Sequence, residues 1–407
     1  MNKKPKIMFS NFKNNWKISS FYNLANVFQS GGTPSTKEPT FWGGTIPWIQ
    51  SSDIQKDILF GVIPQKFISE NGLQKSSAKL ISKNSIAIVT RVGVGKLAII
   101  DQDYATSQDF LSLSDFNGDA QFIVYSIYRM LQKASTQLQG TSIKGITKED
   151  LLLKKVSLPD IDEQSAIGTL FRTLDDLLAS YKYNLANYKS LKATMLSKMF
   201  PKAGQTVPEI RLDGFEGEWK LYELKSRTET ITKGTTPKDK SWQGEVNYIK
   251  TESINRDSGS LVRTASTSLE EHLGYLKRSQ LKEGDVLFSI VGTLGVIGLV
   301  DKKDLPANTN QQIAIIRLNR DNTIFMLNFL KSPRIKSFIK SDSTIGAQPS
   351  LSLWQIEKIK VSLPPSLEEQ QAIGSYFSNL DNLINSHQEK ISQLETLKKK
   401  LLQDMFI

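Results

Sequence analysis

The chain of 407 residues contains an internal repeat whose two copies lie a nearly constant distance apart along the sequence. The segment Val156-Ser-Leu-Pro159 with Glu163-Gln-Ser-Ala-Ile-Gly168 returns as Val361-Ser-Leu-Pro364 with Glu369-Gln-Gln-Ala-Ile-Gly374. From there the spacing stays at 206 residues, through Met199-Phe200 and Met405-Phe406. A repeat of this kind predicts two copies of one structural unit.

The sequence that precedes each copy repeats more loosely. Trp16 corresponds to Trp219, Gly32-Thr33-Pro34 to Gly234-Thr-Thr-Pro237, and the stretch 42–49 to the stretch 242–249. Short β-branched runs between turn residues predict strands at 85–90, 97–100, 286–290 and 313–318. Apolar spacing predicts helices at 122–138 and 325–341. Each half is therefore expected to be a globular α/β domain followed by a long helix, which gives an α+β chain.

The long helices, predicted from 162 to 199 and again at the C-terminus, carry apolar or aromatic residues at alternating steps of three and four, as in a coiled-coil seam. A polar residue, Asn184 or Lys390, interrupts both seams at the same point, just before Leu185 and Ile391. Because a polar seam position fixes register, we predict that the two helices pair antiparallel, with pseudo-two-fold symmetry. At about 1.5 Å per residue each rod is roughly 57 Å long. Two independent amphipathic helices remain an alternative.

These patterns divide the chain into four segments. We predict a first globular domain at 1–158, a central helical spacer at 159–205, a second globular domain at 206–363 and a C-terminal helical spacer at 364–407. The formal net charge of +11 is concentrated on the globular domains, with +8 over 1–155 and +4 over 206–360. The helical segments carry only +1 and −2. A basic excess on the globular domains indicates a polyanionic partner.

Several classes of chemistry are excluded by composition and motifs. The chain has no cysteine and two widely separated histidines, His272 and His387, so thiolate and His-rich metal sites are not expected. Gly93-Val-Gly95-Lys96 lacks the spacing of a phosphate-binding loop, and no hydrolase, zinc-protease or dinucleotide-binding motif is present. Without a secretory signal or a membrane-length apolar segment, we expect a cytosolic protein.

The repeated residues resemble the specificity (S) subunits of type I restriction-modification systems. The resemblance rests on the duplicated Leu-Pro-x-x-x-x-Glu-Gln-x-Ala-Ile-Gly stretch with its long helix, and on Gly-Thr-Pro followed by Trp-x-Gly-x-x-x-Trp-Ile. It also rests on Phe12-x-x-x-Trp16 beside Gly214-Phe215-x-Gly217-x-Trp219. The resemblance implies two target-recognition domains that each read one half of a split double-stranded DNA site, and paired helices that act as a spacer.

The same resemblance implies partners and cofactors. Two methyltransferase (M) subunits would dock on the helices, and restriction/translocase (R) subunits would join through the assembled complex. S-adenosylmethionine, ATP and Mg²⁺ would reside on those partners, with no cofactor, metal, catalytic residue or membrane contact on this chain. The loop Gly346-Ala-Gln348-Pro resembles a family loop, whereas the first domain has Gly140-Thr-Ser-Ile143 without a glutamine.

Base edges are read by Arg, Lys, Asn and Gln, and phosphates are held by Lys, Arg, Ser and Thr. The DNA-contacting residues predicted on this basis are Thr33, Ser35, Lys37, Gln50, Ser52, Arg91, Lys96, Thr235, Thr236, Lys238, Lys250, Asn255, Arg256 and Gln348. The residues predicted for helix pairing and methyltransferase docking are Ile167, Leu170, Leu174, Leu177, Leu185, Ile373, Leu380, Leu383, Ile391 and Leu394.

Two readings from other classes remain open at this point. One is a DNA methyltransferase or nuclease with unrecognised motifs, which would act on DNA without partners. The other is a coiled-coil scaffold with no nucleic-acid role, which would show no sequence-dependent, salt-sensitive binding to a divided duplex.

Overall fold

The computed structural model describes residues 4–91, 95–137, 146–344 and 348–407. Gly93, the stretch 140–143, Gly346 and Ala347 lie outside these residues. The chain separates into two compact units, unit 1 (1–181 with 390–407) and unit 2 (182–389). Each unit therefore combines one globular domain with a part of each long helix.

Unit 1 contains three small sheets, with strand orders β2-β8-β5-β6, β4-β3-β7 and β1-β9. Its strands are β1 Lys17–Ser20, β2 Ala25–Ser30, β3 Trp42–Ile49, β4 Lys66–Ile68, β5 Ser85–Val89, β6 Leu97–Ile100, β7 Ala105–Thr106, β8 Phe110–Phe116 and β9 Lys155–Leu158. Its helices are α1 Glu70–Gln74, α2 Ala120–Gln137, α3 Lys148–Leu152 and the start of α4 Ile161–Lys198. Among the strands just named, β3 pairs with β7 in parallel and the other pairs are antiparallel.

Unit 2 repeats the three sheets, with strand orders β11-β17-β14-β15, β13-β12-β16 and β10-β18. Its strands are β10 Lys220–Glu223, β11 Thr228–Lys233, β12 Val246–Ile249, β13 Ser266–Thr267, β14 Val286–Ser289, β15 Ile297–Leu299, β16 Ala307–Thr309, β17 Ile313–Leu318 and β18 Lys360–Leu363. Its helices are α5 Leu269–Leu273, α6 Thr323–Lys331, α7 Pro333–Asp342, α8 Leu353–Glu357 and most of α9 Leu367–Met405. The matching strand orders confirm the tandem α+β prediction.

One predicted helix is wrong in its continuity. The segment 325–341 forms two helices, α6 and α7, that meet at Ser332 and Pro333. Proline has no backbone N–H and disfavours helical geometry in the residue before it, and Ser332 is extended with ψ 158°. The proline therefore starts a new helix at this point, and the apolar periodicity alone does not reveal the break.

The two long helices form as predicted, with 38 residues in α4 and 39 in α9. Each begins just after a proline and carries two acidic residues in its first turn, Asp162 and Glu163 in α4. Negative charge at this end is favourable because it complements the helix dipole and the unpaired N–H groups of the first turn.

The helices run antiparallel to one another within each unit. In unit 1, Phe171 of α4 packs on Phe406 of α9 at 5.5 Å between ring centroids, and Asp175 accepts a hydrogen bond from Lys398. In unit 2, Tyr188 packs on His387 at 5.1 Å, and Lys192 Nζ lies 2.5 Å from Asp381 Oδ1. Rising residue numbers on one helix thus meet falling numbers on the other, which confirms the predicted pairing within each unit.

The predicted seam is wrong at one of its two repeating positions. Leu177 and Leu383 are 43% and 41% exposed, whereas the next residues, Leu178 and Ile384, are buried. Adjacent apolar residues make the sequence pattern ambiguous, and in the structure the later residue of each pair is the buried one. The polar residue in the seam is then not Asn184 but Lys192, with Lys398 as its repeat equivalent.

The other predicted seam residues are buried or partly buried. Ile167, Leu174, Ile373 and Leu380 are buried in the cores. Leu170 and Leu394 are partly buried against the core of unit 1, and Leu185 and Ile391 are also partly buried.

The Met-Phe pairs that end each repeat close the two hydrophobic cores. In unit 1, Phe406 stacks on Phe122 at 5.4 Å between centroids. In unit 2, Phe200 stacks on Phe377 at 5.9 Å and meets Phe325 edge-on at 5.4 Å. The end of each long helix is therefore part of a globular core, which explains why these residues repeat.

The repeated Glu-Gln-x-Ala-Ile-Gly segment locks each long helix onto its globular domain. In unit 1, Gln164 Oε1 accepts from the backbone N–H of Asp119, and its amide donates to the carbonyl of Pro159. A Cβ at Gly168 would lie 2.6 Å from Asp119 Oδ1 and 2.8 Å from the nitrogen of Phe122, so only glycine allows this approach. The motif is thus structural.

Its glutamates are buried in both units but find different partners. Glu163 is 1% exposed and accepts a 3.3 Å hydrogen bond from the Trp16 indole, and burial raises the pKa of its carboxyl. Glu369 is also 1% exposed, but Arg211 donates to both of its oxygens at 2.8 Å. The duplicated carboxylate is therefore satisfied by a neutral donor in one unit and a cation in the other.

Candidate nucleic-acid interface

In unit 1, four loops meet where two parallel strands end. Strands β3 and β7 end side by side at Ile49 and Thr106, and Ser107 N–H donates to the Ile49 carbonyl at 3.0 Å. Gly32 N–H donates to Thr106 at 2.9 Å, and Thr90 N–H donates to the carbonyl of Asp109 at 2.7 Å. These bonds bring together the loops 31–37, 50–53 and 107–109 with the described residues 90–91 and 95–96, and we call this group loop cluster 1.

The loops are packed tightly enough to exclude a side chain at Gly31. A Cβ there would lie 2.1 Å from Thr106 Oγ1 and 2.3 Å from the carbonyl of Ser107. The close approach holds the Gly-Thr-Pro loop against the turn after β7, so the polar residues that follow are carried on a fixed backbone.

All seven residues predicted to contact DNA in the first domain lie in loop cluster 1. Ser35, Lys37, Ser52 and Arg91 are exposed, and Thr33, Gln50 and Lys96 are partly buried. Lys96 Nζ donates to the carbonyl of Ser51 at 3.1 Å. Lys96 therefore connects two loops through this hydrogen bond, and its ammonium group positions the loops.

Unit 2 forms the equivalent loop cluster 2. Strands β12 and β16 end side by side at Ile249 and Thr309, and Thr235 N–H donates to the carbonyl of Thr309 at 2.9 Å. Ile290 N–H donates to the backbone carbonyl of Gln312 at 2.8 Å, and Gly292 N–H donates to the carbonyl of Pro349 at 3.0 Å. These bonds link five loops of unit 2, and residues 345–347 are not part of the description. The five loops are 234–238, 250–253, 290–295, 309–312 and 348–350.

Five predicted residues of the second domain lie in loop cluster 2. Lys238 and Gln348 are exposed, while Thr235, Thr236 and Lys250 are partly buried. The ammonium of Lys250 lies 3.5 Å from the ring centroid of Trp242. This cation–π contact fixes the lysine over the aromatic face beside the loop. Trp42 in unit 1 packs on Trp48 instead, at 5.1 Å and nearly perpendicular.

The structure places Asn255 and Arg256 on a different loop. Asn255 Oδ1 accepts from the N–H groups of Asp257 and Ser258 and so stabilises its own turn. The carbonyl of Asp257 accepts from Lys192 Nζ at 2.8 Å and from Lys331 Nζ at 3.1 Å. This loop is therefore anchored on α4 and α6, and none of these bonds links it to loop cluster 2.

Burial and nearby charges shift the pKa of Lys331, one of the two anchoring lysines. Burial, with the nearby charge of Lys192, lowers the pKa of Lys331 to about 7, while Asp381 and Asp257 act in the opposite direction. In the equivalent region of unit 1, Tyr125 lies beside Asp175. Burial and the Asp175 carboxylate, which accepts from Tyr125 Oη at 2.6 Å, raise the pKa of that phenol.

Sequence reasoning missed two exposed glutamines in the loop clusters. Gln108 lies two residues after Thr106 at the end of β7, and Gln311 lies two residues after Thr309 at the end of β16. The signal was the Thr-x-Gln pattern in both halves.

Exposed apolar side chains also lie along the long helices. Leu177 and Leu191 of α4 are 43% and 37% exposed, and their repeat equivalents Leu383 and Leu397 of α9 are 41% and 45% exposed. The two long helices therefore expose leucine at the same two positions of the repeat.

Metal-binding clusters and membrane-spanning helices are both absent from the part of the chain that the structure describes. No group of three or more Asp, Glu or His side chains there is placed to hold a metal ion. None of the helices in that part has the length and apolarity needed to cross a bilayer.

The comparisons with known proteins agree on one family. The family model described as "Type I restriction modification DNA specificity domain" matches twice, at residues 13–187 and 216–396. The specificity subunit of the type I restriction enzyme MjaVIII from Methanocaldococcus jannaschii is 24% identical over 295 residues, which cover 70% of this chain and 68% of that one. The MjaIX specificity subunit from the same organism is 25% identical over 174 residues, 41% of this chain and 39% of its own length.

Solved structures show the same fold. The S subunit of a type I restriction-modification system from M. genitalium superposes with a TM-score of 0.64 and 17% identity, covering 100% of this chain and 99% of that one. A chain from a structure on complex assembly and conformational transition of the type I R-M system gives a TM-score of 0.54 with 16% identity and covers 96% and 97% of the two chains. The chain belongs to the family of type I restriction-modification specificity subunits, the non-catalytic components that recognise DNA sequence.

Proposed function

We propose that unit 1 and unit 2 each contact one half of a divided double-stranded DNA site, unit 1 through loop cluster 1 and unit 2 through loop cluster 2. The observation that supports this most is that the two units have the same strand arrangement and equivalent loops, but these loops carry different side chains. Gln50 corresponds to Lys250 after the parallel strand, and Arg91 corresponds to Val291 after β5 and β14. Different donors on the same scaffold suit two half-sites of different sequence.

The charge of the globular segments supports the same proposal. The segments 1–155 and 206–360 carry +8 and +4, whereas the two helical segments are close to neutral. Lysine and arginine that neutralise phosphates release bound counterions, so DNA binding by these segments weakens steeply as salt rises. In this proposal the long helices are spacers that fix the distance between the half-sites.

The helices also provide the surface for partner subunits in this proposal. Two methyltransferase subunits would dock on the exposed leucines of α4 and α9, which include Leu177 and Leu383, and restriction/translocase subunits would join the assembled complex. S-adenosylmethionine, ATP and Mg²⁺ would be bound by those partners. The support is the repeated spacing of the leucines at equivalent positions of the two helices.

The test compares two lysines of unit 1 that differ in location. Lys37 is exposed in loop cluster 1, and Lys17 is exposed in β1, which pairs with β9 outside the cluster. In a complex assembled with methyltransferase subunits, Lys37→Ala should weaken duplex binding on all sequences and reduce the slope of log affinity against log salt by about 1. Lys17→Ala should change neither quantity.

Arg91→Ala tests sequence readout in the same complex. If Arg91 contacts a base edge, its loss costs about 1–3 kcal/mol and relaxes the preference in one half-site only. The proposal is contradicted if Lys37→Ala and Arg91→Ala both bind DNA with the affinity, salt slope and sequence preference of the wild-type complex.

A further inference from the structure

The turn after β7 presents Gln108 at its apex. The flanking residues hold each other across it, because Asp109 N–H donates to Ser107 Oγ at 3.4 Å and the Ser107 hydroxyl donates to Asp109 Oδ2 at 3.4 Å. Thr33 Oγ1 donates to Gln108 Oε1 at 2.5 Å. The exposed carboxamide is thus fixed at its oxygen, and its NH₂ group has no hydrogen-bond partner among the described residues.

The turn after β16 has the same construction with different flanking residues. Gln312 N–H donates to Asn310 Oδ1 at 3.1 Å, and Asn310 Nδ2 donates to Gln312 Oε1 at 3.2 Å. Gln311 between them is exposed, and its side chain has no hydrogen-bond partner in the described parts of the chain. In both units, therefore, the residues on either side of the glutamine are hydrogen-bonded to each other, and the glutamine side chain between them is exposed.

This conservation between the units contrasts with their neighbours in the loop clusters. Gln50 is replaced by Lys250, Ser52 by Glu252 and Arg91 by Val291, but glutamine occupies the same position two residues after the parallel strand in both units. A residue that is the same in both units cannot encode a difference between two half-sites. It is suited to a component that every half-site shares, and the phosphate backbone is that component.

We propose that Gln108 and Gln311 donate their carboxamide N–H groups to DNA phosphates and act as equivalent anchors that set the register of each unit on its half-site. This inference rests on the proposed contact between the loop clusters and DNA. Neutral amide side chains commonly hold phosphates in this way, and such contacts position the protein without carrying sequence information. The glutamines thus position the neighbouring residues that differ between the units.

The experiment measures duplex binding by the assembled methyltransferase complex with Gln108→Ala, Gln311→Ala and the double variant. Each single change should weaken binding about three- to tenfold, the effect of one lost net hydrogen bond, and the two effects should multiply because the sites are independent. The loss should be equal on cognate and altered sequences. The salt slope should stay unchanged, because glutamine is neutral and releases no counterion.

Isosteric charge reversal sharpens the test. Gln108→Glu and Gln311→Glu keep the shape but place a carboxylate against a phosphate, so they should bind DNA more weakly than the alanine variants. Gln65→Ala is the matched control, because Gln65 is exposed just before β4 and donates to the carbonyl of Ile63 in its own segment. Thermal unfolding of every variant should match that of the wild type, since the side chains are exposed.

Three outcomes separate this inference from the proposed function. A relaxed preference at one base pair would overturn the anchor role and make the glutamine a base reader. Wild-type binding by both alanine variants, with Lys37→Ala and Arg91→Ala impaired, would overturn the anchor alone. Wild-type binding by all four variants would remove the loop clusters from the DNA interface and overturn the proposed function as well.

Discussion

Removal of one partner of the buried ion pair formed by Lys192 and Asp381 is predicted to destabilise unit 2. The two side chains are 9% and 16% exposed, and Nζ lies 2.5 Å from Oδ1. Lys192 also donates to the carbonyl of Asp257. Lys192→Met would keep the apolar stem and leave the Asp381 carboxylate without its cation. Breaking a buried pair in this way costs about 3–5 kcal/mol, and the residual exposure of both groups favours the lower end.

Hydrogen exchange of the backbone amides is the assay, because it reports unit 2 locally in a chain whose two units need not unfold together. Amides in 182–198 and 367–389 should lose protection equivalent to about 3 kcal/mol in Lys192→Met. The double variant Lys192→Met/Asp381→Leu should recover most of that loss, since it leaves no unpaired carboxylate. Full recovery is not expected, because the carbonyl of Asp257 still loses one donor.

Lys189 is the matched control for this prediction. It lies on the same helix and pairs with the Asp257 carboxylate at 3.3 Å, but its side chain is 43% exposed. An exposed pair of this kind contributes about 0–1 kcal/mol, so Lys189→Met should leave the protection almost unchanged. The reasoning is refuted if Lys192→Met and Lys189→Met lose the same protection, or if the double variant is no more stable than Lys192→Met alone.

Three further changes have definite expected outcomes. Because folded Lys331 has a pKa of about 7, the unfolded chain binds more protons above that pH. Its contribution should make the free energy of unfolding rise from pH 7 to about pH 10 by at most about 1.4 kcal/mol per pH unit, and urea titrations of Lys331→Met should lack that rise. Gly168→Ala should destabilise unit 1 by about 1–3 kcal/mol, measured by urea unfolding, because its Cβ meets Asp119. Phe406→Ala should cost about 3–5 kcal/mol in the same assay, since the ring fills the core; a loss below 1 kcal/mol would place the C-terminus outside it.

The sequence predicts the architecture well where the signal is long and duplicated. The two long helices carry an apolar pattern over about ten turns, so a few ambiguous positions do not hide them. The register of the seam is harder to predict, because Leu177 and Leu178 are both apolar and only the tertiary packing decides which of them is buried. The same holds for Leu383 and Ile384.

The candidate DNA surface is predicted less completely, because it depends on contacts between distant residues. The parallel pairing of Ile49 with Thr106 brings Gln108 beside the Gly-Thr-Pro loop. The local sequence does not predict that these two segments are close in space. Conversely, Asn255 and Arg256 belong to a loop of suitable composition that is anchored by Lys192 and Lys331. Composition identifies polar loops, whereas the tertiary hydrogen bonds decide which loops meet.

The account depends on each unit recognising its own half of the DNA site. The most direct test maps the methylated bases in DNA treated with complexes of this chain and methyltransferase subunits, for the wild type and for Lys37→Ala/Arg91→Ala. We predict two short blocks of required sequence at a constant separation, with the variant relaxing one block and leaving the other and the separation unchanged. A single uninterrupted block, or relaxation of both blocks by these two changes in unit 1, would contradict the account.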